Sequence, residues 1–500
     1  MPRDTAQPKS KWLGPYTDTK LEPANSENTI AADELPQFEL SEIRSASGCT
    51  LCDDSASPDL ATADDKNHKL PRWTQQSKRR RLLSRCATTL LILLPIVIGI
   101  SVYVSHREAN LSAIWIPDEA SRRFGEKPLP LPLNRTSITQ YNLPLRTHGR
   151  YIVDGNGKRF KLHSVNWYGA SDELFVPGGL DIQNRAVIAQ TIRKLGFNTV
   201  RLPYADELVT ANPVIDHPLV AANPDLAGLR ALDVFEAVVA ALTDAGIGVV
   251  INNHITSATW CCGANPCDSG WANNHLSMFC RVKQTEEEWM ANWETVMDRF
   301  IGNPLVIGAD LRNEVRGLWG TMPWNKWASA AERCGNRLLS MDPDWLIIVE
   351  GTESANDLSG ARNRPVQLDV ASKLVYSAHV YSWSGWGSWG GRFAQRSYSS
   401  FSKTMRHNWA YLLEGKGIDT PVPVWVGELG ASRHPSRGSA RYWQNLWRFL
   451  KEVDADFGYW AINPRQPHDN VTETYSLVED DWVTPVVDYR MMDMLELMRA

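Results

Sequence analysis

Positive charge is not in excess in this chain: 52 Lys and Arg face 57 Asp and Glu, a formal net charge of −5. The electrostatic ground for a nucleic-acid partner is therefore missing. Long hydrophobic runs are scarce as well, with one run alone long enough to cross a bilayer, which excludes a polytopic membrane protein. At 43% hydrophobic and 22% charged residues, collagen and a wholly disordered chain are excluded too. Cysteine is sparse, eight in 500 residues, and no close-spaced ligand pair of the H-x-x-x-H kind occurs. A metal hydrolase would lack its usual framework, and no cofactor is expected. Phe, at 12, is outnumbered by 21 Trp. Trp offers a wide apolar face with a polar edge, so the excess suits stacking on flat ligands unless the rings are core.

The length allows roughly three domains of about 150 residues, or one large barrel. Residues 1–77 are rich in Pro, Ser and acidic side chains without apolar periodicity, and are expected to be a disordered cytosolic tail. Residues 78–104 follow as a basic flank (Lys78, Arg79, Arg80, Arg81, Arg85) and the uncharged run Ala87 to Val104. At ~1.5 Å per residue that run is about 27 Å long, enough for a thin bilayer, and Pro95 within it is tolerated in a membrane helix. It begins too late for a cleaved signal peptide. The positive flank precedes the span, which predicts a single-pass type II protein with everything beyond it outside the cell or in the secretory lumen. All three N-x-[ST] sequons, at Asn110, Asn134 and Asn470, lie on that side and are candidate glycosylation sites. Residues 105–145, with Pro128, Pro130, Pro132 and Pro144, read as a stalk.

Cysteine use divides at the same boundary. Cys49 and Cys52 form a lone C-x-x-C in the tail, and Cys86 borders the span; without a second pair these are read as plain thiols. Cys261, Cys262, Cys267 and Cys280 are disulfide candidates in one long loop, in a pairing left open, with Cys334 a buried thiol on a helix. Zinc on Cys262, Cys267 and Cys280 with a His is the lesser alternative.

From Arg146 to the C-terminus, short β-branched runs alternate with amphipathic stretches. Tyr151 to Phe160 reads as a hairpin around Asp154-Gly155-Asn156-Gly157. The strand candidates are 162–166, 199–202, 248–252, 306–311, 346–349, 374–378, 424–426 and 457–459. Helices are expected over 182–195, 232–245 and 286–300, each stopped at or near a glycine. Such alternation predicts an α/β fold, a (β/α)8 TIM barrel over 146–500.

In such a barrel, chemistry sits just past the carboxyl ends of the strands. Those positions hold Asn166, Arg201, His254, Asn313, Glu314, Glu350, His379, Tyr381, Glu428 and Trp460. Two glutamates across one mouth match glycoside cleavage, where one carboxyl gives a proton and the other attacks the anomeric carbon. Arg201 beside one would keep it ionised, and an apolar setting would keep the other protonated. Glu350 is read as a surface or helix-capping carboxylate.

Val200-Arg201-Leu202-Pro203, Asn253-His254, Leu311-Arg312-Asn313-Glu314, His379-Val380-Tyr381, Gly427-Glu428-Leu429-Gly430 and Trp460, in this order, resemble family 5 of the glycoside hydrolases, the cellulase-like retaining barrels. The resemblance implies Glu314 as general acid and base and Glu428 as nucleophile. It also implies Asn313 bonded to the sugar 2-hydroxyl, Arg201 and Tyr381 orienting Glu428, His254 and His379 lining the site, and Trp460 as its floor. The family usually has Pro after Asn-Glu, where this chain has Val315. The loop His254 to Cys262 is similar to a double-cysteine branch of the family, in which Trp271 would help wall the cleft. Trp383, Trp386, Trp389, Trp319, Trp324 and Trp327 are candidates either for stacking on pyranose rings or for packing on helices, with packing expected of Trp327.

The expected partner is a β-linked polysaccharide or oligosaccharide, with β-glucan favoured. The alternatives are a catalytically inactive carbohydrate-binding membrane protein and a wall-remodelling transglycosylase.

Overall fold

The computed structural model describes residues 72–117, 137–263, 265–276, 278–317, 322–385, 390–466 and 471–499. Cys49, Cys52, Asn134, Asn470, Trp319, Trp386 and Trp389 lie outside the described residues.

Eight parallel strands close into a barrel in chain order: β1 His163–Asn166, β2 Thr199–Ala205, β3 Gly248–Ile255, β4 Val306–Asp310, β5 Leu346–Glu350, β6 Leu374–Val380, β7 Val424–Leu429 and β8 Asp456–Tyr459, with β8 pairing back onto β1. Their apolar runs are nearly continuous because each strand packs inward on the barrel interior and outward on helices. Several strands extend past the sequence expectation at their carboxyl ends, β3 to Ile255, β6 to Val380 and β7 to Leu429. His254, Glu350, His379 and Glu428 are thereby held, like Arg201, on strands, which place side chains more rigidly than loops do.

The helices between them are α2 Arg185–Lys194, α3 Ala231–Asp244, α4 Glu286–Asp298, α5 Trp324–Met341, α6 Tyr398–Met405 and α7 Arg437–Val453, followed by α8 Tyr489–Arg499. α2 starts at Arg185 rather than at 182 because the Asn184 side chain accepts from the Ala186 amide and caps it. α4 starts with a full capping box between Thr285 and Glu288. Gly196 and Gly246, at φ 98° and 73°, supply the left-handed residue that ends α2 and α3. Most of the Trp excess goes into the layer between barrel and helices: Trp289, Trp293, Trp327, Trp409 and Trp443 are fully buried.

The amino end of the barrel is stoppered. Arg146–His148 pairs antiparallel with Tyr151–Val153, and the expected turn at 154–157 forms with Asp154 accepting from the Asn156 and Lys158 amides at 3.0 and 2.8 Å. Ile138, Leu145, Ile152, Phe160 and Leu162 pack there against Val250, Ile307, Leu346, Ile348, Val375 and Trp425.

The chain divides after Ser84 into two units, and the second carries the barrel. The helix α1, Arg72–Ser112, runs unbroken through Pro95. Its portion Arg80–Ser112 contains an 18-residue window of mean hydropathy 2.3, none of it buried, and has the length and composition to cross a membrane. Of the segment 105–145 read as a stalk, both described ends are packed on the barrel. The Trp115 amide donates to Pro435 O at 3.0 Å, and Ile138 and Leu145 belong to the stopper.

Candidate active site

Arg201, on β2 and wholly buried, is the centre from which the site is built. Its Nε donates to Asp310 Oδ2 at 2.7 Å, Nη2 to Asn313 Oδ1 at 2.7 Å and to Glu350 Oε1 at 2.9 Å, and Nη1 to Asn166 Oδ1 at 2.9 Å and to Glu428 Oε1. Burial opposes the guanidinium charge, but Asp310, Glu428 and Glu350 outweigh it and hold its pKa above the ordinary value. One fixed cation thus orients groups from β1, β4, β5 and β7.

Glu428 receives a second donor on its other oxygen, the Tyr381 hydroxyl at 2.8 Å. Burial first, then the neighbouring Glu428, pushes the Tyr381 phenol well above its usual range, so it stays a donor. Glu314 is differently placed. Burial raises its carboxyl to about 7, against the opposing pull of Arg316 and Arg201. Its φ of 48° lies in the left-handed region, which costs a non-glycine residue about 1–2 kcal/mol. The Glu314 amide is tied at 2.7 Å to Glu350 Oε2. Glu350 is therefore not the surface or capping residue its sequence position suggested: it is fully buried, with one oxygen on Arg201 and the other on the backbone of Glu314. Burial, then Asp310, raises its pKa well above the usual carboxyl range.

His379 bridges the two glutamates. Its Nδ1 lies 3.1 Å from Glu314 Oε1 and 3.7 Å from Glu428 Oε2, and all three groups offer atoms within 4.8 Å of one another. Burial lowers its pKa to about 4, so the imidazole is neutral near pH 7. His254 is held by Asn252 Oδ1 at 2.8 Å from Nδ1, and burial followed by the Arg201 charge puts its pKa well below the usual value. The Trp460 ring lies nearly parallel to those of His254 and Tyr168, with centroids 5.4 and 5.0 Å away. A neutral, flat surface results beside the carboxyl groups.

His254, Asn313, Glu314, Tyr381, Glu428 and Trp460 line one open cleft of about 350 Å³, with Arg201 and His379 fully buried beneath it. Trp260, Cys261 and Cys262 also line it, as do Tyr475 and Trp383, which is half exposed and stacked on Tyr381 at 4.4 Å. The four disulfide candidates pair as Cys261–Cys262 and Cys267–Cys280, and Cys334 is a buried free thiol. Asn313 Nδ2 lies 3.4 and 3.2 Å from the Cys261 and Cys262 sulfurs.

Trp271 is not brought to this cleft. The 267–280 disulfide loop carries it outward, where its ring is buried against Trp289 and Trp327 and its Nε1 donates to Glu286 at 2.9 Å beside a separate hollow. Trp324 and Trp327 also pack inward, their indole N–H groups bonded to Arg364 O and Glu350 O. Among residues that sequence reasoning did not single out, Asp310 accepts from Arg201 and Glu473 lines the cleft. A charged last residue in the apolar run of β4 was the available signal for Asp310, whereas nothing local marked Glu473.

The family model described as cellulase (glycosyl hydrolase family 5) matches residues 153–466. An endoglucanase of Paenibacillus polymyxa is 30% identical over 71% of this chain and 86% of its own length. The major extracellular endoglucanase of Xanthomonas campestris is 28% identical over 67% of this chain and 68% of its own length. Among solved structures, an endocellulase from the archaeon Pyrococcus horikoshii aligns with a TM-score of 0.59 at 27% identity, covering 71% of this chain and 98% of that one. With this fold, these two carboxyl groups and these relatives, the chain belongs to glycosyl hydrolase family 5 and is a glycosidase acting on O-glycosyl compounds.

Proposed function

We propose that the protein is a membrane-anchored retaining hydrolase of a β-linked glucan, with Glu428 as nucleophile and Glu314 as general acid and base. The observation that carries this reading is the approach of the two carboxyl groups to within 4.8 Å across His379, in unlike surroundings. Retaining enzymes hold these groups about 5 to 5.5 Å apart, whereas inverting ones leave about 6.5 to 9.5 Å for a water. In the first step a Glu428 oxygen bonds to the anomeric carbon while the glycosidic C–O bond breaks, and Glu314 passes its proton to the departing oxygen. In the second, a water attacks that carbon, Glu314 takes the water's proton, and the ester bond to Glu428 breaks. Arg201 and Tyr381 orient Glu428, Asn313 bonds the 2-hydroxyl, and Trp460 lies under the reacting ring.

Substrate class is supported by the relatives, named endoglucanases, and by a Pyrococcus horikoshii structure described as a cellotetraose complex. Support for the anchor comes from α1 and its basic amino flank, which favours a cytosolic amino end. An outer catalytic domain agrees with a relative named extracellular.

The full chain in detergent, beside its Glu428→Ala counterpart, is to be assayed for reducing-sugar release from β-1,4-glucan, β-1,3-glucan, mixed-linkage glucan, mannan and xylan. Release from a glucan by the parent alone is expected. Equal release by both removes Glu428 as nucleophile, and silence from a cooperatively folded parent favours a binding protein.

A further inference from the structure

The carboxyl end of α1 does not project freely from the barrel. Arg107 Nη2 donates to Gln395 O at 2.9 Å, and the Gln395 amide donates to Glu108. One turn on, Arg437 Nη1 donates to Asn110 Oδ1 at 2.6 Å and Leu111 is buried. Past the helix, Ala113 O accepts from the Arg437 amide at 2.9 Å, Ile114 bridges to Ser436, and the Trp115 ring meets Tyr489 edge-on at 5.3 Å.

Every one of these partners except Tyr489 lies on a connection that leaves the carboxyl end of a barrel strand. Gln395 follows β6, on the same connection as Tyr381 and Trp383. Pro435, Ser436 and Arg437 follow β7, on the connection that begins beside Glu428. Between them, the Arg433 amide donates at 2.7 Å to the carbonyl of Thr474, a residue of the cleft wall. Tyr489 is joined to the same rim through its hydroxyl and Ser432 O at 2.7 Å.

The spacing along α1 sets a height. Its uncharged run ends at Val104, and barrel contact begins at Arg107, three residues or about 4.5 Å further at 1.5 Å per residue. A barrel lies wholly on one side of a bilayer, so the part of it fastened nearest the bilayer surface is its catalytic rim. Ile114 and Ile116, about 70% exposed beside that fastening, are apolar side chains suited to the bilayer interface.

We propose that α1 clamps the barrel with its catalytic mouth bordering the bilayer, so that the substrate is a β-linked glycan tethered at the membrane surface. This rests on the reading of α1 as a membrane anchor. Electrostatic or lipid-specific recognition is not required: the clamp confines the cleft to a layer a few ångströms from the surface, where tethered chains are concentrated and free ones are not.

The test uses the full chain reconstituted in vesicles, with a fluorescent amino acid at exposed Val471 on the rim or at exposed Asn156 on the stoppered end, and an acceptor dye on the lipid. The two ends are about 20 Å apart, the length of a 14-residue helix such as α3 at 1.5 Å per residue. Energy transfer at Val471 is expected to exceed that at Asn156, and Trp115→Ala combined with Arg437→Glu is expected to abolish the difference while leaving hydrolysis of soluble cellotetraose unchanged. In parallel, the parent should cleave a lipid-tethered cello-oligosaccharide faster than the soluble one, with that preference lost in the undocked variant. Equal transfer from the two positions, or a larger value at Asn156, in protein that resists alkaline extraction overturns the clamp and leaves the anchor standing. Release of the protein by alkali overturns the anchor itself, and the clamp with it.

Discussion

The two ends of the barrel are made from the same eight strands and contrast in chemistry. At the amino end, Phe160, Ile152, Leu145 and Trp425 fill the interior with apolar side chains. At the carboxyl end, Arg201, Asp310, Glu350, His379 and Asn313 are equally buried and polar, and they serve to hold Glu314 and Glu428. Hydrophobic burial stabilises the first region at roughly 25 cal/mol per Å². The second desolvates a cation and several carboxyl groups and recovers that loss only in part through hydrogen bonds. One end supplies the stability with which the other end maintains a reactive arrangement.

Glu428→Gln should expose this division most sharply. Loss of the proposed nucleophile is expected to lower kcat by about 10⁴-fold or more, while thermal unfolding stays as high as the parent's or rises. A large drop in Tm would mean that the mouth contributes stability after all. Glu314→Gln should lower kcat by about 10²- to 10⁴-fold, with a smaller loss on an aryl glycoside whose leaving group needs little protonation.

The same residue supplies a pH test. In the proposed role of general acid Glu314 must carry its proton, and its carboxyl is raised to about 7, so the parent's activity should fall as pH rises through about 7. Stability follows the same sign. A carboxyl whose folded pKa lies above its unfolded value of 4.5 favours the folded state below pH 4.5 and loses that contribution as pH climbs towards 7. Glu314→Gln should therefore gain stability relative to the parent over that window. A constant gap in denaturant titrations across it would contradict the buried setting of Glu314.

At the stoppered end the expected signature is reversed. Phe160→Ala should cost about 3–5 kcal/mol of stability and leave kcat of the folded fraction unchanged, measured by urea unfolding beside steady-state kinetics. The smallest expected effect belongs to the cleft wall. Trp383→Ala removes a half-exposed ring and should raise KM about two- to tenfold, the equivalent of 0.5–1.5 kcal/mol of stacking, with kcat kept.

Much of this was legible in the chain. The strands could be read because parallel barrel strands are buried on both faces and so appear as short apolar runs, and their carboxyl ends identified the residues of the cleft. The roles of Glu350 and Asp310 were not legible, because their partner Arg201 is 149 and 109 residues away. Nor was the placement of Trp271 away from the cleft, since the disulfide that closes its loop is one of several pairings four cysteines allow.

By itself, the sequence determined the alternation of elements, the apolar run of α1 and the residue types at each strand end, all of which depend on neighbours a few positions apart. Only the tertiary structure decided which carboxyl group was desolvated, which tryptophans faced the cleft, and which rim of the barrel received the carboxyl end of α1. Those outcomes depend on closure of the barrel, which brings β8 against β1 and gathers residues from the whole length of the domain around one arginine.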